Sequence, residues 1–163
     1  MAMPAYFRAV ERSRMAEAEQ LMGNVVAAQQ RRFLNSNSYS KSWAALDVAP
    51  KDANATSLYC TKGTQEATAG TGYAGRCGNG KGFAIALDTT VHHPATADDS
   101  KAVVVATRVN NGQYKYTLRR PYSSNQVYCE ADTTTKDAEQ LCADFYGVDS
   151  YGSIPDIADA PAM

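Results

Sequence analysis

The sequence predicts an α+β fold: one long N-terminal helix packed on a three- to four-stranded antiparallel meander, with two cysteine-bounded loops. Three observations carry this. No proline falls between Pro4 and Pro50, so the front of the chain is free to run as one helix. Strand-type alternation is concentrated between residues 82 and 130. Four cysteines sit in the loop-rich remainder, an even number that suits disulfides.

The helix comes first. Pro4 occupies a position where a first-turn proline is tolerated, since no intrahelical bond needs its missing amide. Phe7, Val10, Ala18, Leu21, Val25 and Ala28 recur at steps of three, four, seven and eight, which lays an apolar stripe along one face. Arg8, Glu11, Arg12, Glu19 and Arg31 take the opposite face. Gly23 is the one weak position, costing about 1 kcal/mol against alanine. The polar cluster Asn35-Ser36-Asn37-Ser38 stops the helix. Such a rod extends about 45 Å at 1.5 Å per residue. A domain of this size uses that length only if part of it reaches something else.

Trp43 and Leu46 are the expected anchors of the connection that follows, packed on the apolar face of the helix. Residues 51–81 are irregular and glycine-rich, and a loop this long needs something to pin it. A Cys60–Cys77 bridge would do so. Strand signals then follow in order. Gly82 to Asp88 places Phe83, Ile85 and Leu87 on one face. Lys101 to Val109 places Val103, Val105 and Thr107 together, and Gln113 to Arg119 groups Tyr114, Tyr116 and Leu118. Asn110-Asn111-Gly112 between them is a tight hairpin signal. Val127 to Glu130 adds a short fourth strand. A sheet with one apolar face needs a cover, and the helix stripe, from about Leu21 onward, provides it. The tail from Tyr151 reads as extended.

Bulk properties exclude several classes. A net charge of -1 and a pI near 6.1 leave no electrostatic footprint for nucleic acid or anionic membrane. No apolar run of 18 residues exists, so the chain as written spans no membrane and carries no signal peptide. The even cysteine count in a loop-rich chain points to an oxidising compartment. Of the three possible pairings, the sequential one closes two short local loops.

Catalytic and metal chemistry find little support. Adjacent His92 and His93 would point to opposite faces of a strand and rarely share an ion, so they read as a solvated loop with Asp98 and Asp99. Asp132, Asp137, Asp144 and Asp149 match no EF-hand spacing and read as solvated acids. Asn54-Ala55-Thr56 fits a glycosylation acceptor, meaningful only in a host that uses it. Arg119 and Arg120, with nearby tyrosines, read as a polar strand edge. No motif marks an enzyme.

One resemblance adds to this. Ala2-Met3-Pro4-Ala5-Tyr6 followed by Val10 through Ala18, then Ala28-Gln29, resembles the helix of the type IV pilin and type II secretion pseudopilin family. Tyr39, Trp43 and Leu46 resemble its aromatic and leucine positions after the helix. Cys129 and Cys142 resemble the disulfide that bounds the C-terminal variable loop of many pilins. The likeness is specific over residues 2 to about 47 and architectural beyond.

The resemblance implies a pilin-like roll: residues 1–35 as the C-terminal half of a stalk helix and 36–163 as a globular head. Within the head, 36–81 is the αβ-loop, 82–130 the sheet, and 129–163 the variable loop and tail. It implies a structural subunit of a bacterial pilus filament, serving adhesion, twitching motility or DNA uptake, without enzymatic activity or cofactor. Its partners would be further copies of itself, related minor pilins and the inner-membrane assembly machinery, with no specific nucleic acid. The family's N-methylated apolar half-helix would precede Ala2 in the full-length protein, anchoring it in the inner membrane before export into the extracellular filament. Leu21, Val25 and Ala28 would pack on the sheet. Pro4, Tyr6, Phe7, Arg8, Val10, Glu11, Arg12 and Arg14 would form the stalk surface that packs in the filament, with no partner inside this chain before about Met15. A secretion pseudopilin, often calcium-binding in its C-terminal loop, is the alternative, and a DNA- or host-binding minor pilin a remoter one.

Overall fold

The computed structural model describes residues 5–40, 42–48, 58–61, 82–88, 103–108, 115–122, 125–131 and 136–147. The helix α1 spans Ala5–Ser36, and a 3₁₀ turn follows at Trp43–Ala45. The strands are β1 (Leu58–Cys60), β2 (Phe83–Asp88), β3 (Val103–Arg108), β4 (Tyr116–Pro121) and β5 (Tyr128–Ala131), and α2 is Lys136–Tyr146. The strands pair antiparallel in sequence order, β1-β2-β3-β4-β5. The α+β class and the meander are therefore as the sequence predicts, but with five strands instead of three or four. Two elements, β1 and α2, lie where the sequence reads as loop. Pro4, Cys77, the two histidines, Asn54-Ala55-Thr56 and the Asn110-Asn111-Gly112 turn lie outside the described residues.

The buried seam of α1 is Glu11, Met15, Ala18, Met22, Val25 and Gln29, with Val26 and Ala28 beside it. These steps of four and three keep one narrow stripe facing the sheet. The seam is rotated from the stripe the sequence suggests. Phe7 is 47% exposed, whereas Met15 and Met22 are 2% and 0% exposed. Val10 and Leu21 are half-buried, Leu21 packing on the edge of the core. Unbranched methionine fills the irregular space over a pleated sheet. The seam ends are polar: Glu11 at the front and Gln29 at the back.

Helix-facing residues align in a row across all five strands, Tyr59–Ile85–Ala106–Leu118–Cys129. Small Ala106 sits in the central strand, where α1 comes closest to the sheet. Phe83, Leu87, Val104 and Tyr116 complete that face, with Trp43 and Leu46 in the same core cluster. The phase of β3 is thus opposite to the one its valines suggest: Val104, Ala106 and Arg108 face the helix. Val103 and Val105 join Ala86 in a smaller cluster on the other side, where Arg119 and Glu130 form a buried ion pair.

The helix ends as Asn37 takes a left-handed conformation (φ 52°) and its N–H donates to the Phe33 carbonyl at 2.8 Å. The returning chain is then clamped by Gln29. Its Nε2 donates to the Ser40 carbonyl at 2.7 Å, and its Oε1 accepts from the Ser40 N–H at 2.8 Å. One buried amide so satisfies a buried backbone donor and acceptor that have no strand to pair with. Phe33 stacks on Tyr39 (4.7 Å between centroids), and Tyr39 packs on Tyr122 (5.1 Å).

The amphipathic α2 buries Ala138, Leu141 and Cys142. Asp137 and Glu139 occupy its first turn, where the helix dipole favours acids. Gly147, at φ 74°, ends it by donating its N–H to the Ala143 carbonyl at 3.1 Å. The Cys129–Cys142 disulfide ties α2 to β5 with a Cα–Cα distance of 5.4 Å. Cys60 is also disulfide-bonded.

Replacing Gln29 by alanine strands both Ser40 backbone groups and opens a cavity. Urea unfolding should show a loss of about 2–3 kcal/mol. Gln29→Glu, which sets a buried carboxylate oxygen against the Ser40 carbonyl, should cost at least as much as the alanine.

Candidate functional site: the first four turns of the long helix

The front of α1 divides into a face used by this chain and a face left outside. On the inner face, the Glu11 side chain is 1% exposed and meets an Arg108 side chain that is 0% exposed. Arg108 Nε donates to Glu11 Oε1 at 2.6 Å and Nη2 to Oε2 at 3.4 Å, while Nη1 donates to the Gly82 carbonyl at 3.0 Å. The Tyr116 hydroxyl donates to Glu11 Oε1 at 2.7 Å, and Arg14 Nη1 to Oε2 at 3.2 Å from the solvent side. Phe83 closes the cluster, its ring 5.7 Å from the Arg108 guanidinium and edge-to-face with Tyr116. Both buried charges therefore have several hydrogen-bond partners, the condition under which such a pair is tolerated.

Sequence position explains who meets whom. Arg108 ends β3 in phase with Val104 and Ala106, opposite Phe83 in the ladder. A cation at an inward strand position needs an acid from the covering layer, and Glu11 stands one helical turn before the Met15 seam position.

A second set of contacts comes from α2. Three consecutive residues at its end reach α1: Asp144 pairs with Arg8, Phe145 lies 4.2 Å under the Arg12 guanidinium, and the Tyr146 hydroxyl donates to Glu19. Arg8, Arg12 and Glu19 follow at near-helical steps of four and seven, so one strip of α1 serves the whole end of α2. The expectation that the turns before Met15 have no partner within the chain is thus corrected. Arg8, Glu11, Arg12 and Arg14 are all engaged internally. The reason is the unanticipated α2, together with the inward phase of Arg108.

At the tip of the helix an apolar pair remains outward. Tyr6 is 72% exposed and pairs edge-to-face with Phe7 at 5.5 Å. The sheet-packing positions Val25 and Ala28 lie in the core, with Leu21 at its edge. Sequence reasoning missed Arg108, Tyr116, Phe145 and Tyr146. The signal for the last two was present: Ala138, Leu141, Cys142 and Phe145 are spaced for a helix, and Gly147 stops it.

Among the described residues no group of three or more histidines, cysteines or acids could hold a metal. Of the four aspartates around the second cysteine loop, Asp144 is committed to Arg8, and Asp132 and Asp149 lie outside the described residues. No helix among the described residues is long and apolar enough to cross a membrane. No protein family, curated protein or solved structure matches the chain.

Two predictions follow from this geometry. Glu11→Ala leaves Arg108 buried without its acid and should cost about 3–5 kcal/mol in denaturant unfolding. The pair Glu11→Leu with Arg108→Met should recover most of that loss, and a strictly additive cycle would show that the two do not interact. Burial pushes the Tyr116 hydroxyl well above the usual tyrosine value of 10.0, with Glu11 adding to the shift, and burial with Glu19 does the same to Tyr146. A tyrosine with a raised folded-state pKa contributes stability that is complete below its unfolded value of 10.0 and is lost as pH rises from there. Ultraviolet titration should therefore show these two tyrosines ionising only as the fold fails in base, and Tyr116→Phe should weaken that loss.

Proposed function

We propose that this chain is the head and half-stalk of a type IV pilin-like filament subunit, a structural protein without catalytic activity. One observation carries the reading: a 32-residue helix lies on an antiparallel meander and continues past its inner contacts into an outward Tyr6–Phe7 pair. An amphipathic helix normally ends where its cover ends. Here the apolar character persists on a face the chain does not use, as a stalk packed among copies requires. The disulfide joining α2 to the last strand agrees with a C-terminal region braced on the outside of such a filament. In this reading an apolar half-helix precedes Ala2 in the full-length protein, Cys60 pairs with Cys77, and the subunit passes from the inner membrane to the cell surface. Adhesion, twitching and DNA uptake are the activities such a filament serves.

The internal use of Arg8, Glu11, Arg12 and Arg14 narrows the filament-packing set to the outward residues, Tyr6 and Phe7 foremost, with half-buried Val10. Filaments sheared from cells of the source organism should contain peptides of this chain by mass spectrometry; their absence would remove the reading. Tyr6→Ala with Phe7→Ala should abolish or sharply reduce sheared filaments while moving the stability of the isolated protein by no more than about 0.5 kcal/mol. Arg8→Ala and Glu11→Ala should instead act on stability.

A further inference from the structure

The outward face of α1 carries a second periodicity, distinct from the seam that lies on the sheet. Tyr6, Ala9, Ser13, Ala16 and Gln20 follow at steps of three, four, three and four, and all five are exposed. Such steps average about 3.5 residues, the repeat of helices that pack along one another as a coiled coil. The row holds no charge. It begins on a ring that is 72% exposed and continues through alanine and serine, small enough for two helix axes to approach to about 8 Å. It stops at Gln20, because Gly23, the next position, faces Arg120 of β4.

Charges lie on the two flanks of this row, and their order selects a partner. Arg12 flanks it on one side and Glu17 on the other, and both are exposed. In a parallel, in-register pair of such helices, a residue on one flank meets the opposite-flank residue about five places later on the other strand. Arg12 therefore faces Glu17 of a second copy, and the reverse pairing forms across the axis. The neighbouring flank pairs, Ala5 with Val10 and Glu19 with Asn24, set no like charges together. Arg12 is already braced for this use. Its guanidinium lies 4.2 Å from the Phe145 ring centroid, and among the described residues no acid pairs with it. Stacking on a ring leaves the in-plane N–H groups of an arginine to donate elsewhere. A carboxylate such as Glu17 accepts several donors at once.

We propose that this face binds a second copy of the chain, the two front helices parallel and in register, with Arg12 and Glu17 exchanged across a two-fold axis. The heads then lie on opposite sides of the helix pair, since each covers the seam turned away from the row. The contact is short and poor in large apolar side chains, under the roughly 1,000 Å² of a stable interface. The pair is accordingly transient, with a Kd on the order of 0.1–1 mM. It does not depend on the filament reading. A two-fold contact in register closes on itself, whereas a filament needs an open, staggered one.

Analytical ultracentrifugation of the intact protein from about 0.02 to 1 mM tests this, the average mass rising toward the dimer with concentration. Arg12→Glu and Glu17→Arg each set two like-charged pairs together and should raise Kd at least about threefold. An equimolar mixture of these two variants restores both attractive pairs across the axis and should associate at least as tightly as wild type. That recovery cannot come from folding, because each chain keeps its own substitution. Orientation is read separately. Ala9→Cys and Gln20→Cys should each give a covalent dimer on mild oxidation, whereas an antiparallel pair aligns at most one of them with its own copy. A protein that stays monomeric at about 1 mM, single variants that associate like wild type, or a mixture no tighter than its components would overturn the proposal. So would failure of either cysteine variant to cross-link.

Discussion

The buried Glu11–Arg108 pair is the constraint around which the molecule is arranged. A charge shut away from water is tolerated only when its counter-charge and hydrogen bonds arrive together. Arg108 brings a strand end, Glu11 the front of α1, Tyr116 the next strand and Gly82 the carbonyl beside β2. Four segments distant in sequence so meet at one carboxylate and one guanidinium. An apolar seam of methionine, alanine and valine would slide along a sheet at little cost, since neighbouring positions are nearly equivalent. The ion pair admits one register. Gln29 repeats the device at the other end, roughly 27 Å away along the helix axis at 1.5 Å per residue, with an amide in place of charges. Between the two polar fixtures the core is free to be built from interchangeable apolar parts.

These fixtures are also where the sequence misleads. Hydrophobic periodicity finds a buried face by its apolar residues, and α1 buries a glutamate and a glutamine on that face while leaving Tyr6, Phe7 and Leu34 outside. The stripe drawn through Phe7, Val10 and Leu21 therefore sits to one side of the true seam. The inner strands were legible because alternation is local: Phe83, Ile85 and Leu87 face the helix as their spacing says. In β3 alternation identifies two faces but not which is covered, since valine lines both. Arg108 decides the matter, and its partner is 97 residues away. Three-residue β1 is too short to produce a period at all. The helix α2 did produce one, but Cys142 within it drew the reading toward a stapled loop.

Gly23 is a local penalty in α1 at the point where the helix passes Arg120. In isolation it weakens α1 by about 1 kcal/mol. A Cβ there would lie 3.4 Å from Arg120 Nη1, an ordinary contact with the end of a flexible side chain. From there Arg120 reaches Asn125 at 3.0 Å, steadying the bend between β4 and β5. The other arginines of the core and its rim are held by acids: Arg31 by Asp47, Arg108 by Glu11 and Arg119 by Glu130.

The end of α2 gives the molecule a mechanical character. Asp144, Phe145 and Tyr146 grip α1, and Cys142, one turn earlier, is bonded covalently to β5. A pull along the axis of α1 consequently divides between two parallel routes. One runs through Glu11 into the central strand, and the other through α2 and the disulfide into the last. The helix is thus coupled to its head as a shaft keyed at two points.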